Sequence, residues 1–213
     1  MVRRFIPLLF IYVVAAMVGG VTQAYAADII QEWNETKAPA APALKDASVK
    51  AATTAFLILD IEQATCNEKD RPRCIAAVPG IAAFAKKARD AKMLVAYSNT
   101  GRGSPETVID QVKAQAGEHF VKASVNKFYN TDLEAFLKDK KIDTVVVCAT
   151  TAYGAALFTA TGAAQAGFNV VVPVDCIPGS SQYEEQLTAF TLANAPGSAA
   201  KTTLTRLASI KIE

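Results

Sequence analysis

Asp60 stands at the end of the apolar run TTAFLILD and just ahead of Ile-Glu-Gln. A carboxyl group beyond a buried strand is partly desolvated, so its pKa rises and it becomes suited to proton transfer. The plainer role for such a residue is to cap a turn. Other polar residues also follow β-rich runs: the loop Asn99-Thr100-Gly101-Arg102-Gly103, the pair Thr150-Thr151, and Asp175. Asn99, Arg102, Tyr153 and Asp175 are therefore candidates for contacting a small-molecule substrate. Arg102 offers a planar guanidinium able to grip a carboxylate bidentately, although loop arginines are most often simply solvated. The single histidine, His119, is expected as an exposed or packed ring at a strand edge. No His, Cys or Asp cluster has ligand spacing, so neither a metal nor another cofactor is expected.

The elements that must position these residues read as alternating strands and helices. Residues 145–176, VVVCATTAYGAALFTATGAAQAGFNVVVPVDC, give a β-branched strand, a small polar turn at Thr150-Thr151, an Ala-rich helix over 153–166 stopped by Gly167, and a second strand over 168–174. This is a βαβ unit with a crossover of ordinary length. Further strands are expected over 53–60, 93–98, 119–123 and 202–210. Helices are expected from Pro79 to residue 90 and over 105–116, 131–140 and 182–193. Such alternation argues for one parallel sheet covered on both faces. In such sheets ligands gather beyond the carboxyl ends of the strands, here residues 150–155 and 175–178.

With 213 residues, 51% of them hydrophobic and 20% charged, and a net charge of +2, the chain has the make-up of a globular domain. It carries no basic run with interleaved aromatics, so a nucleic-acid partner is not expected. Residues 1–26 join Arg3 and Arg4 to an apolar run over 5–18 and an Ala24-Tyr25-Ala26 cleavage site, the pattern of a signal peptide. The alternative is an uncleaved membrane anchor. Residues 27–52, rich in Ala, Pro and Lys, read as a surface arm anchored by Trp33, and residues 53–213 as the domain. Export, to a periplasm or beyond, places the cysteines in an oxidising compartment. Cys66 and Cys74 share the polar loop CNEKDRPRC and are the better disulfide candidates, whereas Cys148 and Cys176 are expected as buried free thiols.

The segment VVVCATTAYGAAL resembles the strand-turn-helix of the isochorismatase-like hydrolases, the cysteine hydrolase superfamily, in which a nucleophilic cysteine opens the helix. The matching position here is Ala155. The resemblance spans about residues 53–210. It implies a three-layer α/β domain with a six-stranded parallel sheet in the order 3-2-1-4-5-6, and frequent homo-oligomers. LILDIEQ is similar to the segment carrying the family's general acid/base, which implies that role for Asp60. Lys127, in VNKFYNTDLEAFL, matches the family lysine and is implied to lie beside Asp60. Thr150-Thr151 matches a turn with a non-proline cis peptide whose backbone N–H groups form an oxyanion site.

Alanine at 155 closes the acyl-transfer route, which needs a thiol for the covalent intermediate. One reaction of the superfamily does not need it: hydrolysis of a vinyl ether such as isochorismate, by proton donation from the aspartate to carbon. Asp60 and Lys127 suffice for that in principle. The competing expectation is a protein that has lost the chemistry and serves as a small-molecule-binding or assembly protein.

Overall fold

The computed structural model describes residues 27–213; the expected signal peptide lies outside the described residues. The chain divides into a unit ending at Pro39 and a compact unit, Ala40–Glu213. In the first, residues 29–35, with Trp33 among them, form a short run of turns.

Six strands build the main sheet of the second unit. They are β2 (Thr54–Leu59), β3 (Leu94–Asn99), β4 (His119–Lys122), β5 (Thr144–Ala149), β6 (Asn169–Pro173) and β7 (Thr202–Thr205). All pairings are parallel and the order is β4-β3-β2-β5-β6-β7, the arrangement 3-2-1-4-5-6 when these six alone are counted. A separate two-stranded parallel sheet pairs β1 (Ala47–Val49), inside the segment expected to be an arm, with β8 (Ile210–Ile212). The last strand expected from the sequence is thus two, separated by a 3₁₀ turn at Leu207–Ser209.

β2 shows why the sheet is central. All of its residues are buried, as a strand covered on both faces requires. Phe56 and Ile58 pack against α1 (Pro72–Asp90) through Val78, Ile81 and Phe84. Leu57 and Leu59 face the opposite layer of α2 (Leu133–Asp139), α3 (Leu157–Gln165) and α4 (Gln182–Asn194), represented by Leu137, Ala160 and Leu192.

Two helix expectations are corrected. α1 begins at Pro72, not Pro79, so Cys74 sits in its first turn rather than in a loop. Both prolines suit a helix start by their fixed φ, but Pro79 lies within α1 on its exposed face, where the lost N–H costs least. Residues 105–116 form two 3₁₀ turns, Pro105–Thr107 and Asp110–Val112, instead of a helix. Their backbone is drawn to other partners: Gln63 N donates to Thr107 O at 2.9 Å and Ile109 N to Ile61 O at 3.0 Å.

Candidate active site

β2 and β5 are neighbours with Leu59 opposite Ala149, so the next residues, Asp60 and Thr150, emerge side by side. Thr150 N donates to Leu59 O at 3.2 Å. Asp60 has φ 56°, in the left-handed region that aspartate tolerates better than most residues, and this turns the chain off the sheet. Its backbone is held on both sides. Asp60 N donates to Ser98 O at 3.1 Å, and its carbonyl accepts from the Thr65 hydroxyl.

The carboxylate is as firmly bound. Oδ1 accepts from Ser98 Oγ at 2.7 Å and Oδ2 from Lys127 Nζ at 2.7 Å. Lys127 is fully buried, and its ammonium also donates to Ser124 O at 2.6 Å and Ala123 O at 3.3 Å. The loop that carries it is fastened to α3: Lys127 N donates to Thr159 Oγ1 at 3.2 Å, and that hydroxyl donates to Val125 O at 3.1 Å. Burial pushes the Asp60 carboxyl above its ordinary pKa. The Lys127 ammonium and the Ser98 hydroxyl pull it back, and the nearby Glu62 carboxylate adds a further upward push.

Glu62 organises the loop beyond β3. Its Oε1 accepts from Thr100 N at 3.0 Å and Thr100 Oγ1 at 2.6 Å, and its Oε2 from Asn99 Nδ2 and Thr107 Oγ1 at 2.8 Å each. Burial pushes its carboxyl up, yet these donors outweigh it and hold the group below its ordinary pKa. Gly103 lies so close that a Cβ there would fall 1.6 Å from Glu62 Oε2. Gly103→Ala should therefore displace the carboxylate from its donors and lower stability by about 1–3 kcal/mol. Urea unfolding checks this; an unchanged midpoint would mean that the loop yields without cost.

On the β5 side, the Thr150–Thr151 peptide is cis. The turn is pinned to the segment after β6, since Thr150 Oγ1 and Ala152 N both donate to Pro178 O at 3.1 Å. A π-helical turn, Ala152–Ala156, leads into α3, with Gly154 N and Ala156 N both donating to Thr151 O at 3.1 Å. Among the described residues, the N–H groups of Thr151 and Tyr153 meet no protein acceptor, so they are free to serve an oxygen of a bound molecule. Ala155 is buried in this turn and brings no heteroatom.

The structure corrects the expectation of free thiols at Cys148 and Cys176, which form a disulfide with Cα atoms 5.0 Å apart. β5 and β6 are adjacent, and the 3₁₀ turn Val174–Cys176 returns Cys176 to within bridging reach of β5. Cys66 and Cys74 are also bridged, so the chain's four cysteines leave no free thiol to replace the one missing at 155.

Not every candidate gathers at Asp60. Asn99 is buried, with its amide committed to Glu62. Arg102 is exposed in its loop, and Tyr153 is 47% exposed beside Gly154. Asp175 accepts from Leu207 N at 3.0 and 3.3 Å, at the start of the 3₁₀ turn Leu207–Ser209. It lines a cavity of about 220 Å³ with Arg73, Val174, Pro178 and Glu185, to which Asp60, Lys127 and Ala155 do not contribute. His119 stacks on Phe136 with centroids 3.9 Å apart, and its Nε2 lies 3.1 Å from Asp132 Oδ1. Among the described residues no group of three or more His, Cys, Asp and Glu is placed to hold a metal ion. Sequence reasoning missed Ser98 and Glu62; the only local trace of Ser98 was a hydroxyl near the end of a strand.

A six-stranded parallel sheet in this order, covered on both faces, matches the fold of isochorismatase-like structures. The isochorismatase domain model matches residues 54–205, and the chain belongs to that family. Among solved structures it is similar to an isochorismatase family protein from Desulfovibrio vulgaris, with 18% identity over 74% of this chain and 96% of that one and a TM-score of 0.67. It is also similar to a cysteine hydrolase from Pseudomonas syringae pv. phaseolicola (19% identity, 75% and 91% coverage, TM-score 0.65). A third is N-carbamoylsarcosine amidase from Thermoplasma acidophilum (19%, 73% and 96%, 0.63). A search of curated proteins finds no match.

Proposed function

We propose that this protein is an exported hydrolase that acts on a small vinyl ether, or a related acid-labile substrate, through Asp60 and Lys127 and without a thiol. The observation that carries the reading is the buried Asp60–Lys127 pair, 2.7 Å between charged atoms, beside a helix start whose residue 155 is alanine. In its acid form Asp60 gives its proton to the alkene carbon. The C=C electron pair forms the new C–H bond, and an oxygen lone pair creates the oxocarbenium. Water adds to that carbon and returns a proton to the Asp60 carboxylate; the resulting hemiketal then splits its C–O bond to release an alcohol and a carbonyl compound. The Lys127 ammonium steadies the carboxylate while it is ionised.

Export is supported by the two disulfides, and no described helix is long and apolar enough to cross a membrane. The same proposal includes a small-molecule substrate and a homo-oligomer as the working form. One observation favours a second reading, a binding or assembly protein that keeps the pair only for stability: Asp60 is 4% exposed and Lys127 0%.

Turnover of a panel of vinyl ethers, amides and esters separates the two. The wild type is expected to hydrolyse vinyl ethers alone and to resist thiol-modifying reagents. Ala155→Cys is expected to open acyl transfer to amides or esters. A wild type that turns over nothing, with ligand binding indifferent to Asp60→Asn, would leave the binding reading in place.

A further inference from the structure

We propose that Ser98 is a positioning residue that selects the oxygen of Asp60 on which the working proton sits and sets how tightly it is held. This rests on the reading of Asp60 as a proton donor. Ser98 lies at the end of β3 opposite Leu59, is 1% exposed, and places Oγ 2.7 Å from Asp60 Oδ1. Lys127 Nζ lies at the same distance from Oδ2.

The two partners differ in one respect that matters. An ammonium has hydrogens and no lone pair, so it can only donate, whereas a hydroxyl both donates and accepts. A proton on Oδ2 would face the ammonium and break that contact. A proton on Oδ1 leaves it intact and asks only that the Ser98 hydroxyl turn from donor to acceptor. Oδ1 is therefore the protonated oxygen of the acid form. When substrate binds, the Oδ1–H gives up its bond to Ser98 Oγ and turns to the alkene carbon. As that O–H bond breaks and the substrate C–H bond forms, the Ser98 hydroxyl turns back and donates to the carboxylate left behind.

The other charged groups facing Asp60 cannot take this part. Lys127, from the loop 123–131, is committed to Oδ2, Ser124 O and Ala123 O. Glu62, from the loop after β2, is held by Asn99, Thr100 and Thr107. The β5 turn beside it offers Thr150, Thr151 and Ala152, none of them charged.

The test is a ¹³C NMR titration of the Asp60 carboxyl carbon in the full chain. Ser98→Ala removes a donor to the ionised form, so the pKa of Asp60 should rise by about one unit or more. Threonine and valine at 98 form a shape-matched pair should alanine disturb folding. Ser98→Thr should keep the wild-type titration, and Ser98→Val should show the shift. Vinyl-ether turnover should lose its activity at correspondingly higher pH in the alanine and valine variants, with kcat lowered more than KM is changed. An unchanged Asp60 titration in folded Ser98→Ala or Ser98→Val overturns the proposal even when turnover persists. A shifted titration in a protein whose wild type turns over nothing supports the hold of Ser98 on the proton and removes the hydrolase reading instead.

Discussion

Asp60→Asn is expected to cut vinyl-ether turnover by about 10²–10⁴-fold, the usual contribution of a positioned general acid, and to lower stability by less than the roughly 3–5 kcal/mol of breaking a fully favourable buried pair, because burial already disfavours the Asp60 carboxylate. The second effect is a consequence of geometry that the sequence does not display. Lys127 is wholly buried with its ammonium 2.7 Å from Asp60 Oδ2, so removing the carboxylate leaves a charge in the interior with only carbonyl partners and the asparagine amide. The cost of desolvating that charge is then met by hydrogen bonds alone. Lys127→Met should be milder, because a stranded carboxylate sheds its charge by taking up a proton, whereas a stranded ammonium would have to give one up. The double variant should recover most of the stability and none of the activity. Guanidinium unfolding beside turnover for the four proteins makes the comparison; a double variant as unstable as Asp60→Asn would show that the pair is not the source of the loss.

The pH dependence follows from the same carboxyl. Its folded-state pKa is raised by burial, against the pull of Lys127 and Ser98. A raised carboxyl binds its proton more tightly in the folded than in the unfolded chain. Its stabilising contribution is therefore present in full below the unfolded value and is lost as pH rises through the folded value. Activity that needs the acid form declines over that same upper limb. An Asp60 whose titration lies below the ordinary carboxylate range, read by NMR, would reverse both signs.

Replacing Cys148 and Cys176 together by alanine should cost about 3–4 kcal/mol by the loop-entropy relation for a separation of 28 residues, and lower the unfolding temperature by roughly 10 °C. Cys176 is followed by Ile177 and Pro178, and the Pro178 carbonyl is the acceptor for both Thr150 Oγ1 and Ala152 N. The bridge thus ties the end of β5 to the segment that pins its turn, and its loss should also weaken substrate binding. The Cys66–Cys74 loop, with a separation of 8, should cost less, about 2–3 kcal/mol. Peptide mapping without reduction should recover Cys66 with Cys74 and Cys148 with Cys176. Free thiols at the second pair would defeat this expectation.

What the sequence by itself determined is local or periodic. The β-branched run before Cys148, the Ala-rich stretch stopped by Gly167 and the apolar run ending at Asp60 state their own conformations, because strand and helix patterns are written in neighbouring residues. Strand order and the pairing of Asp60 with Lys127 became legible only through the family resemblance, since nothing within either segment records a partner 67 residues away. The tertiary structure alone decided the rest. Ser98 and Glu62 acquire their roles because parallel pairing of β2 with β3 sets the loops at their ends against each other. Residues 105–116 gave up a helix because the chain after Asp60 offered their backbone other hydrogen bonds. Cys148 and Cys176 became a bridge because adjacent strands and one returning turn brought them within 5.0 Å, a distance fixed by the packing of the sheet and not by anything in the two residues themselves.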